Sequence, residues 1–296
     1  MNNKVAIIGS NSFAAQYIIE NLKTDYDLTG YSRNNKHTLS NHVYFNYPSI
    51  PLDYQHLLSF DFIIYTAGAG IQSNKPDSVS DIYDLNCFLP IQIFNFLSQN
   101  HFLGTFITFG SYSEIGQEFE RITYDEMAIL ASQQKNHNDY GNSKRLLTRF
   151  MGNVSSSIKH FHLILPTIYG VGENAKRLVP YVIDCLRRSE LIQLTSGYQI
   201  RQYLHCRDLA ELISIFLVKE IPSGIYNITS QEELSVREVV SKIIKTTGIE
   251  ANLAYGMAKR VDEALPNLLM NTDKLKNLNI WSPSISIKES IAEYVV

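Results

Sequence analysis

The amino-acid sequence predicts an α/β protein with a doubly wound parallel sheet and a smaller, discontinuous C-terminal lobe. Four short apolar runs are separated by helix-length segments and read as strands at residues 4–9, 26–31, 61–66 and 105–109. Strands that alternate with helices indicate βαβ units. The first run ends in a tight glycine-containing turn, and the fourth ends in a serine. Because parallel sheets bind ligands at the carboxyl ends of their strands, both features predict a site at that edge.

The first strand turns through Gly9-Ser10-Asn11-Ser12 into a helix that begins near Phe13. A strand, a small-residue turn and a helix N-terminus together form an anion site, because unpaired N–H groups and the helix dipole point at the ligand. A pyrophosphate suits such a site. Ser12 and Ala15 replace two glycines of the usual dinucleotide pattern, so an ordinary tight turn is the alternative interpretation.

The second strand ends in Tyr31-Ser32-Arg33, where an NAD-binding protein carries an acid for the ribose 2′-hydroxyl. A guanidinium can hold a 2′-phosphate with two parallel charged hydrogen bonds. The sequence therefore favours NADP over NAD. A solvated Arg33 in a polar loop is the alternative.

Two Tyr-x-x-x-Lys tetrads occur, at residues 140–144 and 255–259. The fourth strand runs directly into Gly110 and Ser111 upstream of the first tetrad, whereas no comparable strand and serine precede the second. We therefore expect Ser111, Tyr140 and Lys144 to be catalytic; an i,i+4 pair covering a helix surface is the alternative. A cation beside a phenol lowers its pKa from about 10 toward neutrality, which favours proton transfer.

The later part of the chain predicts a discontinuous lobe. A strand at residues 161–165 precedes Pro166, a strand at 224–228 returns to the main sheet, and amphipathic helices are expected at 179–186 and 236–244. We assign residues 1–165 and a return segment of about 204–230 to the dinucleotide-binding domain. Residues 166–203 and 231–296 are assigned to the substrate lobe. The polar segment 113–139 is either a flap over the substrate or a surface excursion.

Six further motifs stand in an order that resembles the extended short-chain dehydrogenase/reductases, the Rossmann-type group of nucleotide-sugar epimerases, dehydratases and ketoreductases. The resemblance covers nearly the whole chain. The motifs are Asp84-Leu85-Asn86, Pro166-Thr-Ile-Tyr-Gly170, the segment from Gly197 through Arg201 to Asp208, Gly224 to Thr229, Ser235 to Glu238, and Thr272 to Lys274 with Trp281-Ser-Pro283.

The resemblance implies roles for particular residues. Ser111, Tyr140 and Lys144 would form the catalytic triad, and Thr167 and Arg201 would contact the substrate, Arg201 at its diphosphate. The residues implied to line the cofactor are Gly9, Ser12, Phe13, Ser32, Arg33, Ala67, Tyr140 and Lys144. Two departures from the family pattern are Asn46-Tyr47 near the adenine and Leu165 near an expected arginine.

The residues that follow Ser111, which we call the serine motif, limit which reaction of the family is expected. Family dehydratases resemble one another in a Thr-Asp-Glu run, but this chain reads Ser111-Tyr112-Ser113 and lacks the carboxylate pair. Reductases that also epimerise carry a cysteine just after the serine, and Cys87, Cys185 and Cys206 lie elsewhere. We expect an NADPH-dependent 4-ketoreductase acting on a nucleoside-diphosphate hexose. A 4-epimerase that holds its NAD is the alternative, and a non-catalytic NADP-binding redox sensor is the alternative from another class.

Composition excludes several other classes. The net charge of −3 gives no field that would collect nucleic acid. Three widely spaced cysteines indicate buried thiols in a reducing compartment, and no cysteine–histidine cluster has zinc spacing, so we expect no metal. No signal region or long apolar run is present, which predicts a cytoplasmic protein that does not enter a membrane. By resemblance alone, we expect a homodimer.

Overall fold

The computed structural model describes residues 2–70, 77–230 and 232–295. Its strands alternate with helices along the chain, as predicted. The strands are β1 (Lys4–Ile8), β2 (Asp27–Ser32), β3 (Asn41–Tyr44), β4 (Phe62–Tyr65), β5 (Thr105–Ser111), β6 (Lys159–Leu165), β7 (Thr167–Tyr169), β8 (Ile192–Leu194), β9 (Ile200–His205), β10 (Gly224–Asn227), β11 (Glu233–Ser235), β12 (Leu253–Tyr255) and β13 (Asn267–Leu268).

The helices of the described residues include four short segments of four to six residues and seven longer ones. They are α1 (Phe13–Leu22), α2 (Tyr54–Leu57), α3 (Val79–Tyr83), α4 (Leu89–Gln99), α5 (Glu126–Ala131), α6 (Asp139–Asn153), α7 (Leu178–Arg187), α8 (Cys206–Val218), α9 (Val236–Thr247), α10 (Asp273–Lys276) and α11 (Ile287–Val295). A π-helical turn (Asp84–Phe88) joins α3 to α4, and 3-10 turns occupy Tyr112–Ile115 and Val261–Ala264.

The chain divides into two compact units. The first contains Met1–Ser111, Asp139–Ile164 and Leu209–Tyr226, and the second contains Tyr112–Asn138, Leu165–Asp208 and Asn227–Val296. The segment between β5 and α6, for which the sequence left two interpretations open, belongs to the second unit. There Glu118 forms an isolated bridge with Asn267, and Tyr124 forms one with Met270.

The first unit is built on a seven-stranded sheet with the order β10-β6-β5-β4-β1-β2-β3. The strand β1 pairs in parallel with both β2 and β4, so the strand order reverses beside it. Val5 to Ile8 are completely buried, which is expected for a strand covered by helices on both faces. This sheet confirms the predicted doubly wound fold, and its reversal point is where such folds bind ligands.

The second unit contains two smaller sheets. The strand β9 pairs antiparallel with β11 and parallel with β7 and β13, while β8 pairs in parallel with β12. Helices α7, α9 and α11 bury one apolar face each around a shared core that includes Val182, Ile183, Val239, Val240, Ile243 and Ile291. The two amphipathic segments predicted from the sequence are therefore helices, and their apolar faces form this core.

All three cysteines are buried and free, which agrees with the prediction of buried thiols. Within the described residues, no helix is both long enough and apolar enough to cross a membrane.

Candidate cofactor and catalytic site

The turn after β1 requires glycine for two reasons. Gly9 has a φ of +88°, and a Cβ placed on it would lie 2.4 Å from the Ala67 nitrogen. Its N–H donates to the Tyr31 carbonyl over 2.8 Å, which ties the turn to the end of β2. The backbone of β1 therefore passes directly against the loop after β4, with no room for any side chain between them.

Ser12 begins the first helix. It is the N-cap of α1, and its Oγ accepts a hydrogen bond from the Ala15 N–H over 3.2 Å. This contact satisfies one of the N–H groups that a helix N-terminus leaves unpaired inside the helix. The N–H groups of Phe13 and Ala14 still head the helix, where they can meet an anion together with the helix dipole. The structure thus explains how serine replaces the glycine of the usual pattern.

At the end of β2, the adjacent residues Ser32 and Arg33 have different surroundings. Ser32 is buried, and its hydroxyl donates to the Asn34 carbonyl over 2.6 Å while accepting from the Ser10 hydroxyl over 2.9 Å. The His42 Nε2 atom lies 3.1 Å from the same oxygen. Arg33 is exposed. The serine therefore holds the strand end together from inside, and the guanidinium is the group presented to solvent.

The loop after β2 is attached to the turn after β1. The Asn11 side-chain amide donates to the Asn34 Oδ1 atom over 2.7 Å and to its carbonyl over 3.1 Å. Because Arg33 directly precedes Asn34, its backbone is held beside the turn that begins α1. A cation at this place lies where an adenosine ribose would follow a pyrophosphate bound at the helix N-terminus.

Lys144 connects helix α6, which carries the first tetrad, to strand β5, which ends in Ser111. Its side chain is buried, and Nζ donates to the Phe109 carbonyl of β5 over 2.8 Å. Ser111, also buried, ends β5 two residues later, and Tyr140 lies one helical turn before Lys144 in α6. In a βαβ crossover the helix runs antiparallel to its strands. The direction from Phe109 to Ser111 along β5 and the direction from Lys144 back to Tyr140 along α6 therefore lead toward the same end of the sheet. Open α/β sheets bind their ligands at that end.

The loop after β4 borders the same helix. A Cβ placed on Gly70 would lie 3.5 Å from the Tyr140 Cβ, so this backbone passes close to the half-buried phenol. Asn86 supports the arrangement from the π-helical turn. Its fully buried amide accepts from the Ala69 N–H, donates to the Ala69 carbonyl and donates to the Ser143 hydroxyl, over 3.0, 2.9 and 3.0 Å. One side chain thus links the loop after β4 to the residue before Lys144.

His162 forms a second buried link under the tetrad helix. Its Nδ1 lies 2.8 Å from the Thr108 hydroxyl of β5, and its Nε2 lies 2.7 Å from the Thr148 hydroxyl of α6. Burial lowers the pKa of this histidine to about 3, and the Lys144 charge lowers it further in the same direction. The imidazole is therefore neutral, and it holds strand and helix together by two hydrogen bonds.

The two residues predicted to contact substrate lie in the second unit. The Thr167 hydroxyl is hydrogen-bonded to the Tyr112 hydroxyl. Arg201 is 5% exposed in β9, and its Nη1 donates to the carbonyls of Ile200 and Pro266 over 2.8 and 3.3 Å. These contacts tie the Arg201 guanidinium to the start of β9 and to the residue before β13.

The second Tyr-x-x-x-Lys tetrad is not helical. Tyr255 ends β12, and Gly256 follows with a φ of +82°, so the chain turns at once. The guanidinium carbon of Arg237 lies 3.9 Å from the Tyr255 ring centroid and 4.5 Å from that of Tyr198. The arginine is therefore stacked between two aromatic rings, as cation–π geometry favours.

Sequence reasoning placed Asn86 in a family motif without giving it a contact, and it did not single out His162. An alternating strand pattern contains no signal for His162, because its partners lie in two other elements. The only sequence signal for Asn86 is the resemblance of Asp84-Leu85-Asn86 to the family helix.

The chain matches one family model and aligns with known proteins over part or nearly all of its length. The model of the NAD dependent epimerase/dehydratase family matches residues 5–229, about three quarters of the chain. CDP-abequose synthase of Salmonella muenchen is 22% identical over 300 residues, covering 98% of this chain and 96% of that protein. GDP-L-fucose synthase 1 of Arabidopsis thaliana is 26% identical over 140 residues, covering 44% of this chain and 42% of that protein.

Solved structures share the whole fold. A dTDP-glucose 4,6-dehydratase from Bacillus anthracis in complex with NAD superposes with a TM-score of 0.82 at 16% identity, covering 99% of this chain and 95% of that one. A UDP-glucuronic acid 4-epimerase from Bacillus cereus in complex with UDP-glucuronic acid and NAD gives 0.80 at 17% identity, covering 99% and 98%. At these identities the similarity establishes the fold.

Proposed function

Because the chain belongs to the NAD dependent epimerase/dehydratase family, we propose that it reduces the C4 carbonyl of a nucleoside-diphosphate 4-keto hexose with NADPH. Membership confirms the resemblance drawn from the sequence motifs and the prediction of an NAD(P)-dependent enzyme of the short-chain dehydrogenase/reductase type. The observation that carries the proposed Tyr140, Lys144 and Ser111 chemistry is the Lys144 contact with the Phe109 carbonyl, which fixes the helix of Tyr140 against the strand of Ser111.

The turn after β1 fits a dinucleotide. The absence of a side chain at Gly9 lets the backbone approach Ala67 closely, and α1 begins with N–H groups free of intrahelical partners. Gly9, Ser12 and Phe13 would hold the pyrophosphate, and Ala67 would border the dinucleotide after β4. The reactive ring would then lie toward Tyr140 and Lys144.

Arg33 supports NADP over NAD. It is exposed at the end of β2 beside the pyrophosphate turn, where it can pair with a 2′-phosphate. The Ser32 hydroxyl is engaged by Ser10, Asn34 and His42. We therefore propose that Arg33 contributes most of the discrimination and that Ser32 acts by shaping the strand end.

In the proposed mechanism, Tyr140 donates the proton and Ser111 hydrogen-bonds the same oxygen. Bound NADPH supplies the hydride for C4. As the carbonyl oxygen gains negative charge, the Tyr140 hydroxyl protonates it and the Ser111 hydroxyl stabilises it. The buried Lys144 ammonium stabilises the phenolate that remains on Tyr140. Solvent then returns the proton to the phenol.

Reduction is favoured over the other reactions of the family by the serine motif. The two residues after Ser111 are Tyr112 and Ser113, so the carboxylate pair for removing water across C5 and C6 is missing. The Tyr112 hydroxyl is instead hydrogen-bonded to Thr167. The full-length similarity to CDP-abequose synthase, whose name specifies a nucleoside-diphosphate sugar product, supports a substrate of that class.

The direct test is NADPH oxidation with a panel of nucleoside-diphosphate 4-keto-6-deoxyhexoses. Stoichiometric NADPH consumption with formation of a 4-hydroxyl sugar is expected. Interconversion of two nucleoside-diphosphate 4-hydroxyl sugars, supplied in place of the keto sugars, without net NADPH consumption would instead identify a 4-epimerase. Tight NADPH binding without turnover of any sugar would identify a redox sensor.

Cofactor preference has its own test in the Arg33→Ala variant. Loss of a charged, bidentate contact should raise the KM for NADPH about 10–100-fold and leave the KM for NADH nearly unchanged. Lys36→Ala is the matched control, because Lys36 is an exposed cation of the same loop. An equal loss of NADPH affinity in both variants would show a general charge effect.

We also propose a homodimer through the helices that carry Asn86 and Tyr140. Phe88 and Leu146 are 47% and 45% exposed on these helices, so each offers a large apolar side chain that a second copy would cover. Light scattering should give twice the chain mass, and Leu146→Glu should give a monomer. A monomeric wild-type protein would contradict this proposal alone.

A further inference from the structure

The loop between β2 and β3 carries positive charge without an acid of its own. Arg33 and Lys36 are exposed on it, and His37 is half-buried. No aspartate or glutamate stands between Asp27 and Asp53 in the sequence. An anion at this loop therefore meets no carboxylate from this stretch of the chain. How tightly the loop binds such an anion depends on how firmly its cations are held in place.

Asn11 attaches this loop to the turn after β1. Its side-chain nitrogen lies 2.7 Å from the Asn34 Oδ1 atom and 3.1 Å from the Asn34 carbonyl oxygen. A backbone carbonyl can only accept a hydrogen bond, so the nitrogen of the Asn11 amide, and not its oxygen, must face Asn34. The amide therefore donates twice to one neighbour, the residue that directly follows Arg33.

Arg33 is consequently fixed on both sides along the chain. Before it, the buried Ser32 hydroxyl accepts from the Ser10 hydroxyl over 2.9 Å. After it, the Asn34 carbonyl accepts from Ser32 over 2.6 Å and from Asn11 over 3.1 Å. Two consecutive residues of the turn after β1 thus hold the two neighbours of Arg33. The arginine side chain itself stays exposed.

The remainder of the loop is closed by its own contacts. The Asn35 side chain accepts from the Leu39 N–H over 2.9 Å and donates to the Leu39 carbonyl over 2.8 Å. A Cβ placed on Gly30 would lie 2.7 Å from the Leu39 Cδ1 atom, so the leucine packs closely on β2. The loop therefore has a shape of its own, and the contacts of Ser10 and Asn11 attach that shape to the turn.

The Asn11 side chain adds little to the stability of the fold. Its Oδ1 atom is buried and has no hydrogen-bond partner within the described ranges of the chain. A buried acceptor without a donor destabilises the folded state, which offsets much of what the two donated hydrogen bonds contribute. The effect of Asn11 on the place of Arg33 therefore explains this contact better than stability does.

We propose that Asn11 is a positioning residue that sets the preference for a 2′-phosphate by holding Arg33 beside the turn after β1. A loop that is already ordered loses less conformational freedom when the phosphate binds, so the charged hydrogen bonds of Arg33 yield more affinity. This inference rests on the proposed preference for NADP. It adds a residue that acts on the cation without touching the phosphate.

The test compares the dissociation constants of NADP⁺ and NAD⁺, which differ only in the 2′-phosphate. Calorimetric titration of the whole chain measures both without a sugar or turnover. We expect the wild type to bind NADP⁺ about 10–100-fold more tightly, as a charged bidentate contact implies. Asn11→Ala should reduce this ratio about 5–10-fold and leave NAD⁺ affinity within about twofold, because only the ordering of Arg33 is lost.

Asn41→Ala is the matched control. The Asn41 amide also donates a hydrogen bond, over 2.8 Å to Asp27, but it makes this contact away from the turn after β1. The ratio of the two dissociation constants should equal that of the wild type in this variant. The urea midpoint of Asn11→Ala should also stay close to the wild-type value, because removing the unpartnered oxygen offsets the lost bonds.

A double-mutant cycle decides whether Asn11 acts through Asn34. Asn34→Ala removes the Oδ1 acceptor but keeps the carbonyl, so it should lower the ratio by about 2–4-fold. The double variant should be no worse than Asn11→Ala alone, because both changes remove the same attachment. If the two effects multiply, Asn11 acts independently of Asn34, and the proposal is overturned.

The remaining outcomes separate this inference from the proposed cofactor preference. A wild type that prefers NADP⁺, with the same ratio in Asn11→Ala, would overturn the inference and leave the cofactor proposal standing. Equal binding of NADP⁺ and NAD⁺ by the wild type would overturn both. If Asn11→Ala fails to fold, Asn34→Ala still decides, because Asn34 is exposed and an unchanged ratio there also contradicts the inference.

Discussion

The chain carries two Tyr-x-x-x-Lys tetrads, and the same pattern has two different structures. In the first, Tyr140 and Lys144 lie one turn apart on the fifteen-residue helix α6, and the lysine is buried against β5. In the second, Tyr255 ends a three-residue strand, and the chain turns at Gly256 before Lys259. Only the helical tetrad places phenol and ammonium as i,i+4 neighbours on one face.

The surroundings of the two tyrosines differ as well. The helix of the first tetrad is held by buried polar groups, because Asn86 bonds Ser143 and His162 bonds Thr148. Tyr255 is held mainly by its ring, which stacks on Arg237. A tetrad can perform proton transfer when its backbone and its neighbours are fixed by such contacts. The Tyr-x-x-x-Lys pattern alone therefore does not indicate a catalytic site. The helix that carries it and the contacts that hold this helix do.

The largest expected difference between the tetrads is catalytic. Tyr140→Phe removes the proposed proton donor and should lower kcat about 10²–10⁴-fold, the usual contribution of a positioned acid. NADPH binding, followed by fluorescence quenching, should be nearly unchanged. Tyr255→Phe keeps the ring that stacks on Arg237, so kcat should stay within about twofold. Full activity in Tyr140→Phe, or a large loss in Tyr255→Phe, would reverse the assignment.

The sequence predicted most of the first unit because its signals are local. The strand at residues 4–9 appears as β1, and the run at 105–109 appears as β5, extended to Ser111. The edge strand β3 was missed, because Asn41 to Tyr44 is only partly buried and contains two polar residues. The alternation of apolar and polar residues in this segment is too weak to predict a strand without knowing that β2 pairs with it.

The sequence predicted those residues of the candidate site whose role follows from their own place in a turn. Gly9 was identified from the turn, and the structure gives the reason in its φ and its approach to Ala67. The Ser32 hydroxyl, by contrast, faces Ser10 and His42, which meet it only once β2 pairs with β3. Long-range contacts of this kind have no periodic signal, so the sequence placed Ser32 at the end of the second strand without predicting its partners, and it did not single out His162.

A second test compares two glycines with positive φ, Gly9 in the turn after β1 and Gly256 in the second tetrad. Gly9→Ala would force a Cβ to within 2.4 Å of Ala67 at an unfavourable φ, and should lower the free energy of unfolding by about 2–5 kcal/mol. Gly256→Ala has an equally unfavourable φ of +82° but open space around it, so about 1–2 kcal/mol is expected. Urea unfolding of both variants measures the difference. Equal losses would show that φ strain alone matters and that the Ala67 contact does not.

A third test uses the neutral His162 beneath the first tetrad. Its pKa is about 3 in the folded protein and about 6.5 when unfolded, so the unfolded state binds one more proton between these values. Stability is therefore complete above pH 6.5 and falls as the pH drops toward 3. Between about pH 7.5 and pH 5, His162 should account for a loss of about 2 kcal/mol.

The measurement for His162 is urea unfolding at several pH values in the wild type and in His162→Gln. His205, whose pKa burial lowers to about 4, contributes a similar dependence that the variant retains. The expected result is a slope against pH that is smaller by about one proton in His162→Gln. Identical slopes would mean that His162 is not neutral in the folded state.

The smallest expected effect concerns the second tetrad itself. Arg237→Ala removes the guanidinium between Tyr198 and Tyr255, and should cost about 0.5–2 kcal/mol of stability, with kcat unchanged. Burial raises the pKa of Tyr255 and the Arg237 charge opposes this rise, so the variant should titrate Tyr255 at a still higher pH. Ultraviolet titration against a Tyr255→Phe background isolates that one tyrosine. A fall in kcat as large as that of Tyr140→Phe would show that this stacked arginine serves catalysis, and the contrast between the two tetrads would fail.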